Sequence, residues 1–290
     1  MHTTRDLRQQ IRSISGTAQI TNAMQMVAAS KMRKAQHAAV AGRPFSRLLY
    51  RMQRRLTTQA VDFKHPLVEA REVRRRGVIL IAADKGLCGG LNSNLFRLAS
   101  QFDIGSTVFI AAGRKAAQFI AHSGRQLAAE FPYGDAPRFP EARTIAAFAR
   151  DLFLKGEVDQ VQLVATRFVN TMTQQPVCAE FLPIGEIKGF KIEGAVPEEE
   201  LAAQATEFMF EPGPEVLLRN VLPHFLDLYL YETLLNAKAS EHSARMVAMK
   251  NATDNANDLI KHMTLELNKL RQGSITRELL DIAGGQAGSD

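Results

Sequence analysis

The strongest constraint on the fold is a long helical heptad pattern in the last third of the chain. From Arg219 to Ala283 there is one proline, Pro223, and one glycine, Gly273. Steps of alternately three and four residues from Leu228 give fourteen positions, and ten of them are apolar. These are Leu228, Leu235, Ala239, Met246, Met249, Ala256, Ile260, Met263, Leu267 and Leu270. A pattern of this period over many heptads predicts a coiled coil.

The length of this segment requires a partner helix. About 60 residues at roughly 1.5 Å each form a rod about 90 Å long. A globular domain of ~115 residues is only about 30 Å across, so most of the rod cannot be buried on it. We expect the first helix of the chain to be the partner, in an antiparallel coiled coil. A homodimeric coiled coil is the alternative.

The N-terminal segment carries the matching helical pattern. Residues 4–40 contain no proline, and Leu7, Ile11 and Ile14 mark one face. We expect that face to continue, with a shift, through four further residues. These are Ile20, Met24, Val27 and Ala28. Gly42 and Pro44 predict an interruption before helix resumes to about residue 57.

Between the two helical ends, short β-rich runs alternate with helical stretches. The predicted strands are Val78–Ala83, Thr107–Ala112, Val161–Thr166 and Val177–Leu182, and the helices are Leu91–Gln101, Arg114–Ser123 and Thr144–Leu154. This alternation predicts βαβ units and a mostly parallel sheet. We therefore predict an α/β fold in which an antiparallel coiled coil (1–60 with 208–290) carries an inserted Rossmann-like parallel-sheet domain (76–192).

The charge of the chain is strongly asymmetric. The net charge is +6, but residues 1–60 contain eleven Lys or Arg against one acid, Asp6. Such a segment favours an acidic partner, and charge alone leaves nucleic acid, anionic lipid and acidic protein open. No run is long and apolar enough to span a bilayer, and Cys88 and Cys178 have no disulfide or metal spacing.

The stretch "DKGLCGG", residues 84–90, follows the first strand and precedes a helix, as a phosphate-binding loop would. A P-loop needs Lys-Ser or Lys-Thr after its glycines, and a dinucleotide loop needs G-x-G-x-x-G. Here Lys85 precedes the glycines and neither spacing is present. We therefore favour a structural turn or protein-contact loop over nucleotide binding.

Other chemical motifs also fail to appear. The seven histidines have no HxxxH or HExxH spacing, and Cys88 has no histidine near it in sequence to act as a base. We predict no catalytic residue, no metal site and no cofactor, so the chain is not expected to be an enzyme by itself. The alternatives are a nucleotide-binding α/β enzyme and a basic coiled coil that binds nucleic acid.

Three motifs and a C-terminal signature, taken in order, resemble the gamma subunit of F-type ATP synthases of bacterial type. The stretch "IRSISGTAQITNAMQMVAASKMRKAQ" is similar to the first helix of that family, and "DKGLCGGLNSNLF" to its central loop. "SEHSARMVAMKNATDNANDLI" resembles its long C-terminal helix, and "ITRELLDIAGG" its C-terminal signature. The resemblance runs nearly end to end and implies the same architecture as the residue patterns.

The resemblance implies a non-catalytic rotor shaft. In this family the coiled coil inserts into a hexamer of alpha and beta subunits, and the globular domain, with the epsilon subunit, sits on the c-ring. Ion flow, of H⁺ or Na⁺, turns the ring and shaft and so couples to ATP synthesis or hydrolysis on beta. The implied location is peripheral, at the cytoplasmic face of the bacterial plasma membrane, with membrane contact only through the complex. The acidic partner would then be protein, and no nucleic acid is expected.

Residue roles follow from the same resemblance. Contacts with the alpha and beta subunits of the hexamer are expected from eight residues: Met24, Lys31, Arg33, Lys85, Arg271, Gln272, Thr276 and Glu278. A ninth residue, Glu211, is expected to be the foot on the c-ring.

Overall fold

A computed structural model describes residues 4–59, 65–184 and 214–286 of the chain. The helices are α1 (Thr4–Gln59), α2 (Leu91–Ala99), α3 (Arg114–His122), α4 (Phe139–Leu154) and α5 (Pro214–Gln286). The strands are β1 (Arg76–Ile81), β2 (Thr107–Ala112), β3 (Gln126–Phe131), β4 (Gln160–Phe168) and β5 (Gln174–Leu182). None of the helices in these ranges has a stretch apolar and long enough to cross a lipid bilayer.

The five strands form one mixed sheet in the order β3-β2-β1-β4-β5. β1 pairs in parallel with β2 and β4, and β2 pairs in parallel with β3. β5 is antiparallel to β4, to which a short hairpin connects it. The predicted α/β domain is confirmed, and all four predicted strands are present. The sequence patterns missed β3, because this edge strand is largely exposed and lacks an apolar run.

Helices cover both faces of the sheet, because alternate residues of its central strand point to opposite sides. Ile79 and Ile81 of β1 belong to a core formed with α4 and the early turns of α5. Val78 and Leu80 belong to a second core, formed with α2 and α3. β1 is therefore buried on both faces, as expected for a central parallel strand.

The chain divides into two compact units. The coiled-coil unit comprises Met1–Ala28 and Arg245–Asp290, and the sheet unit comprises Ala29–Ala244. Helices α1 and α5 each contribute to both units. The predicted segment boundaries of 1–60, 76–192 and 208–290 remain a prediction, and residues 185–213 lie outside the described residues.

In the coiled-coil unit, one polar contact defines how the two helices face each other. The Thr21 and Thr253 hydroxyl oxygens are 2.7 Å apart. In an antiparallel pair, residues one heptad before Thr21 lie level with residues one heptad after Thr253. Ile14 then faces Ile260, and none of these four residues is in the exposed class: Thr21 is buried and the other three are half-buried. The predicted antiparallel coiled coil of the terminal helices is confirmed.

Of the four residues predicted to continue the α1 face, Ala28 is buried and Met24 is half-buried, but the predicted shift is wrong at Ile20 and Val27. Ile20 and Val27 are 63% and 55% exposed, whereas Ala18, Thr21 and Ala28 are buried. The buried residues follow the unshifted steps of three and four from Leu7. Small side chains occupy this seam because they allow the two helix backbones to approach closely.

The predicted interruption of α1 is also wrong, because the helix is continuous through Gly42 and Pro44. α5 likewise contains Pro223 without ending there. A proline inside a helix removes one backbone hydrogen bond and can bend the helix without terminating it.

Candidate functional site

The first candidate region is the segment of residues 82–90 that follows β1, here called the glycine loop. Its start is held by the first turn of α2: the Ala83 amide donates to Asn92 Oδ1 at 3.3 Å. Asn92 Nδ2 in turn donates to Cys88 Sγ at 3.5 Å, and Cys88 is buried. The base of the loop is therefore fixed by contacts to its own following helix.

The tip of the glycine loop is exposed and conformationally unusual. Leu87 has a positive φ of 61° although it is not glycine, and its side chain is 62% exposed. Lys85 beside it is also exposed. A bulky residue in the left-handed region costs free energy and is commonly retained at contact sites. These features support a contact role for the tip.

A second exposed apolar element lies at the same edge of the sheet. The hairpin between β4 and β5 carries Met172, which is 74% exposed, and the exposed Val169. Because β1 and β4 are parallel neighbours, this hairpin and the glycine loop both follow the carboxyl ends of their strands. We call Lys85, Leu87, Val169 and Met172 together the edge surface.

Behind the edge surface, the N-terminus of α3 is already occupied by the chain itself. Asp84 Oδ1 accepts a hydrogen bond of 3.1 Å from the Arg114 amide, and the Lys115 amide donates to the Ala83 carbonyl at 3.1 Å. Helix N-termini at this edge of an α/β sheet are where phosphates bind in nucleotide-binding relatives of the fold. Here a carboxylate takes that place.

Gly113 permits this close arrangement. Its φ is +95°, and a Cβ added to it would lie 2.2 Å from the Ala82 carbonyl oxygen. The Gly113 amide donates to the Phe131 carbonyl at 3.1 Å, and the Ala82 amide to the Ala112 carbonyl at 3.0 Å. The ends of three adjacent strands are thus drawn together around a position that only glycine fits.

A buried ionic cluster lies at the same edge. The Lys238 side chain of α5 is 0% exposed, and its Nζ lies 3.0 Å from Glu241 Oε2 and 3.3 Å from Asp84 Oδ2. The same ammonium lies 4.3 Å from the centroid of the Tyr133 ring. Burial raises the pKa of Tyr133 well above its usual value, and the nearby Glu241 and Asp84 carboxylates add to that effect.

Sequence reasoning missed Lys238. The heptad positions in this part of α5 are Leu235, Ala239 and His242. Residue 238 is not one of them, so the pattern predicts that its side chain faces solvent. The available signal was its setting, since Lys238 is the only cation in the small and apolar stretch "LLNAKAS".

Three predicted contact residues lie in the exposed final turns of α5. Arg271, Gln272 and Thr276 are exposed, and Thr276 Oγ1 donates to the Gln272 carbonyl at 2.9 Å. Glu278 lies in the same helix, and its side chain is outside the described set. Four apolar residues in the same turns are exposed as well. These are Leu270, Ile275, Leu279 and Leu280.

The predicted contact residues of α1 belong to different units. Met24 is half-buried in the coiled-coil unit, whereas Lys31 and Arg33 belong to the sheet unit. Lys31 forms an ion pair with Asp135, and its hydrogen bond and charge lower the pKa of that carboxyl. Arg33 is exposed. The ninth predicted residue, Glu211, lies outside the described residues.

The described ranges contain no group of three or more His, Cys, Asp or Glu side chains that could hold a metal ion. The candidate regions are therefore exposed protein surfaces and one buried ionic cluster. None of the described geometry has the form of a nucleophile with an adjacent base.

Sequence comparison relates nearly the whole chain to one family. A family model described as ATP synthase matches residues 3–288. The chain is 45% identical to the ATP synthase gamma chain of Opitutus terrae over 291 residues, which covers 99% of this chain and 98% of that protein. It is 42% identical to the ATP synthase gamma chain of Methylacidiphilum infernorum, with 99% of both chains covered.

Structure comparison agrees. A chain of the central stalk and c-ring of the Tetrahymena thermophila mitochondrial ATP synthase is similar with a TM-score of 0.60 and 25% identity. That match covers 80% of this chain and 99% of the other. A chain of the Euglena gracilis mitochondrial ATP synthase has a TM-score of 0.67 at 19% identity and covers 98% of this chain and 94% of the other, which supports the shared fold.

Proposed function

The chain belongs to the family of ATP synthase gamma chains, and from this premise we propose that it is the central-stalk rotor subunit of an F-type ATP synthase. The observation that carries the proposal is its similarity, over 99% of its length, to curated gamma chains. As a subunit of that complex, it would couple rotation of an ion-driven c-ring to ATP synthesis or hydrolysis on neighbouring subunits.

The coiled-coil unit supports a shaft role. Its narrow seam is buried, while Ile20, Met26 and Val27 on α1 are exposed. Six apolar residues of α5 are exposed as well: Leu259, Leu265, Leu270, Ile275, Leu279 and Leu280. Exposed apolar residues in this number indicate a surface that contacts other proteins. A shaft that turns inside a ring of subunits would present such a surface along its length.

We infer the partners from the same relationship. The final turns of α5, with Arg271, Gln272, Thr276 and Glu278, would contact the alpha and beta subunits. Met24, Lys31, Arg33 and Lys85 would contact beta, which supplies an acidic partner for the basic N-terminal segment. Glu211 and its surroundings would touch the c-ring, next to the epsilon subunit.

We assign the chain no catalytic role of its own. The α3 N-terminus, where a nucleotide phosphate would be expected, is capped by Asp84, and Lys238 lies behind it. ATP would instead bind at sites on beta. The chain would be held peripherally at the cytoplasmic face of a bacterial plasma membrane through the rest of the complex.

The coupling mechanism follows from differential contact. The coiled coil has two chemically different faces, because α1 and α5 expose different side chains around its circumference. Each angular position would therefore stabilise one set of beta conformations over the others. Rotation and nucleotide affinity are then linked by the difference in contact free energy between states.

Reconstitution tests the proposal directly. The purified chain is mixed with the alpha and beta subunits of its own source, and ATP hydrolysis and co-purification are measured. We expect no hydrolysis by the chain alone and a stoichiometric complex with ATPase activity. Robust ATP hydrolysis by the pure chain, or stoichiometric micromolar binding of Mg-ATP to it, would contradict the rotor proposal. Either result would favour the alternative of a nucleotide-binding α/β enzyme.

A truncation separates coupling from folding. A chain ending at Arg271 lacks the final turns of α5, all of which belong to the coiled-coil unit. In vesicles carrying the complete complex, we expect ATP-driven ion pumping to fall more than ATP hydrolysis, while the melting transition of the sheet unit stays unchanged. Lys155→Ala, an exposed change at the end of α4, serves as the control and should alter neither.

A further inference from the structure

Lys238 occupies a position in which a positive charge is unexpected. Its side chain is fully buried, and burying a lysine ammonium without compensation is strongly unfavourable. The residue lies in the sheet unit, on the part of α5 that packs against the sheet. A buried ammonium is stable only where neighbouring groups supply negative charge. The groups that surround Lys238 therefore indicate what it does.

The groups around Lys238 form a complete cation site. Glu241 Oε2 and Asp84 Oδ2 lie 3.0 and 3.3 Å from its Nζ, and the Tyr133 ring presents its face at 4.3 Å. The Tyr133 hydroxyl donates to the Ala82 carbonyl at 3.0 Å, which fixes the ring in place. Two carboxylates and an aromatic face are the groups that bind an alkylammonium ion in proteins.

This site lies where α/β sheets of this kind bind their ligands. Asp84 follows the carboxyl end of β1, and Tyr133 follows the carboxyl end of β3. Asp84 also caps α3, so a single carboxylate joins the helix N-terminus to the ammonium. In open α/β sheets the crevice beyond the carboxyl ends of the strands is the usual ligand site.

We propose that Lys238 is a built-in cationic occupant of this crevice, and that its ammonium group fixes helix α5 to the carboxyl edge of the sheet. Lys238 is a positioning residue, since it acts through Asp84 and Tyr133. The proposal goes beyond the rotor function and does not depend on it. Its consequence is that removing the side chain leaves a site for a free primary amine.

Chemical rescue tests the proposal on the full-length chain. Lys238→Ala keeps Cβ and deletes three methylenes and the ammonium, which n-propylammonium reproduces. We expect this variant to lose about 10 °C in melting temperature, because it gains a cavity and two carboxylates lose their shared ammonium partner. Added n-propylammonium should restore at least half of that loss, whereas 1-propanol and sodium chloride of equal ionic strength should not.

Lys261→Ala is the matched control. Lys261 also pairs with an acid three residues away, Asp258, at the same 3.0 Å, but both side chains are exposed. We expect neither a change in melting temperature nor a response to the amine. If n-propylammonium raised the melting temperature of this control as much as that of Lys238→Ala, the rescue would be non-specific and the proposal overturned.

A second variant keeps the proposal testable if Lys238→Ala does not fold. Lys238→Met keeps an unbranched apolar stem of nearly the same length and removes the ammonium group with its charge and its hydrogen bonds. We expect it to be destabilised and unaffected by n-propylammonium, because the crevice is full. A melting temperature equal to that of the native chain would show that Lys238 only fills space, and would overturn the assignment of its ammonium as the fixing group.

Discussion

The sheet unit and the coiled-coil unit bury their apolar residues in different ways. In the sheet unit, β1 and β2 are covered on both faces, and the helices that pack on them complete two separate cores. In the coiled-coil unit, burial is confined to one residue in every three or four, and large apolar side chains such as Ile20, Val27 and Leu265 remain exposed.

This difference has a functional meaning. The sheet unit has two buried cores, so contacts within the chain itself stabilise it. The coiled-coil unit has one buried seam and a surface suited to further protein contact. Substitutions inside the sheet unit should therefore change folding, and substitutions on the coiled-coil surface should change assembly. Four predictions, from the largest expected effect to the smallest, compare how strongly the stability of each unit depends on single residues.

Gly113→Ala should have the largest effect. The new Cβ would overlap the Ala82 carbonyl oxygen, and the backbone would be strained at φ +95°. We expect a loss of about 3 kcal/mol or more in the free energy of unfolding, measured by denaturant titration. Gly16→Ala in the coiled-coil unit, where no atom lies within 4 Å, should instead stabilise its helix by roughly 0.5–1 kcal/mol. Equal changes in the free energy of unfolding for Gly113→Ala and Gly16→Ala would contradict the difference between the two units.

Arg150→Met should have the second largest effect, of about 2–3 kcal/mol at pH 7. Arg150 donates to Asp227 Oδ1 and to the Pro223 carbonyl, both at 2.9 Å, and so holds α5 to α4. Asp227 is nearly inaccessible to solvent, and burial raises its pKa while Arg150 and Arg143 oppose that rise.

The pH dependence of this variant gives a further check. Without Arg150, less positive charge offsets the effect of burial on the Asp227 carboxyl. The pKa of Asp227 in the folded state therefore rises further above its value in the unfolded chain. A raised pKa contributes stability at low pH, and that contribution is lost as pH rises through the folded value. Denaturant titrations at pH 5 and pH 8 should show a larger deficit relative to the native chain at pH 8. An equal deficit would contradict this account of the pair.

The threonine pair of the coiled-coil unit should contribute less. Thr21 and Thr253 face each other in the seam, and Thr253 also donates to the Met249 carbonyl at 2.9 Å. Valine at either position keeps the shape and removes one hydroxyl. A double-mutant cycle with both valines should give a coupling free energy of about 0.5–1 kcal/mol. Additive effects would mean that the pair does not help to set the helix register.

The smallest expected effect is at the entrance to β1. The Asp159 carboxylate accepts hydrogen bonds from the Arg75 and Arg74 amides at 2.8 and 2.9 Å, and these bonds lower its pKa. A lowered pKa gives stability that is present above the unfolded value and lost as pH falls through the folded one. Asp159→Asn should therefore flatten the acid limb of stability below about pH 4. Parallel acid limbs for the two proteins would contradict it.

Much of the fold was accessible from local patterns. The heptad steps of α5 predicted a seam that the burial of Met249, Ala256 and Ile260 follows closely. The β-rich runs located four strands, because buried central strands have to be apolar. β3 was missed, since an exposed edge strand carries little apolar signal. β5 was placed but its antiparallel direction was not, since direction depends on the hairpin that joins it to β4.

The candidate site was less accessible. The spacing of the glycine loop argued against a known phosphate-binding motif, and the contact role of Lys85 remains a prediction. The exposure of Leu87 and its left-handed backbone could not be inferred, because they depend on the three-dimensional path of the loop. The contact residues of α5, and Glu211, remain predictions that depend on the family relationship.

The helical periods, four of the five strands and the family resemblance could be read from the sequence alone, because each depends on residues that are close together along the chain. Which residues of α1 lie in the seam, and which side chain lies in the crevice, depends on tertiary packing. Thr21 meets Thr253, and Lys238 meets Asp84, across more than 150 positions of sequence. Burial is a property of what packs against a residue, and local hydrophobicity assigned Ile20 to the interior and left Lys238 outside it.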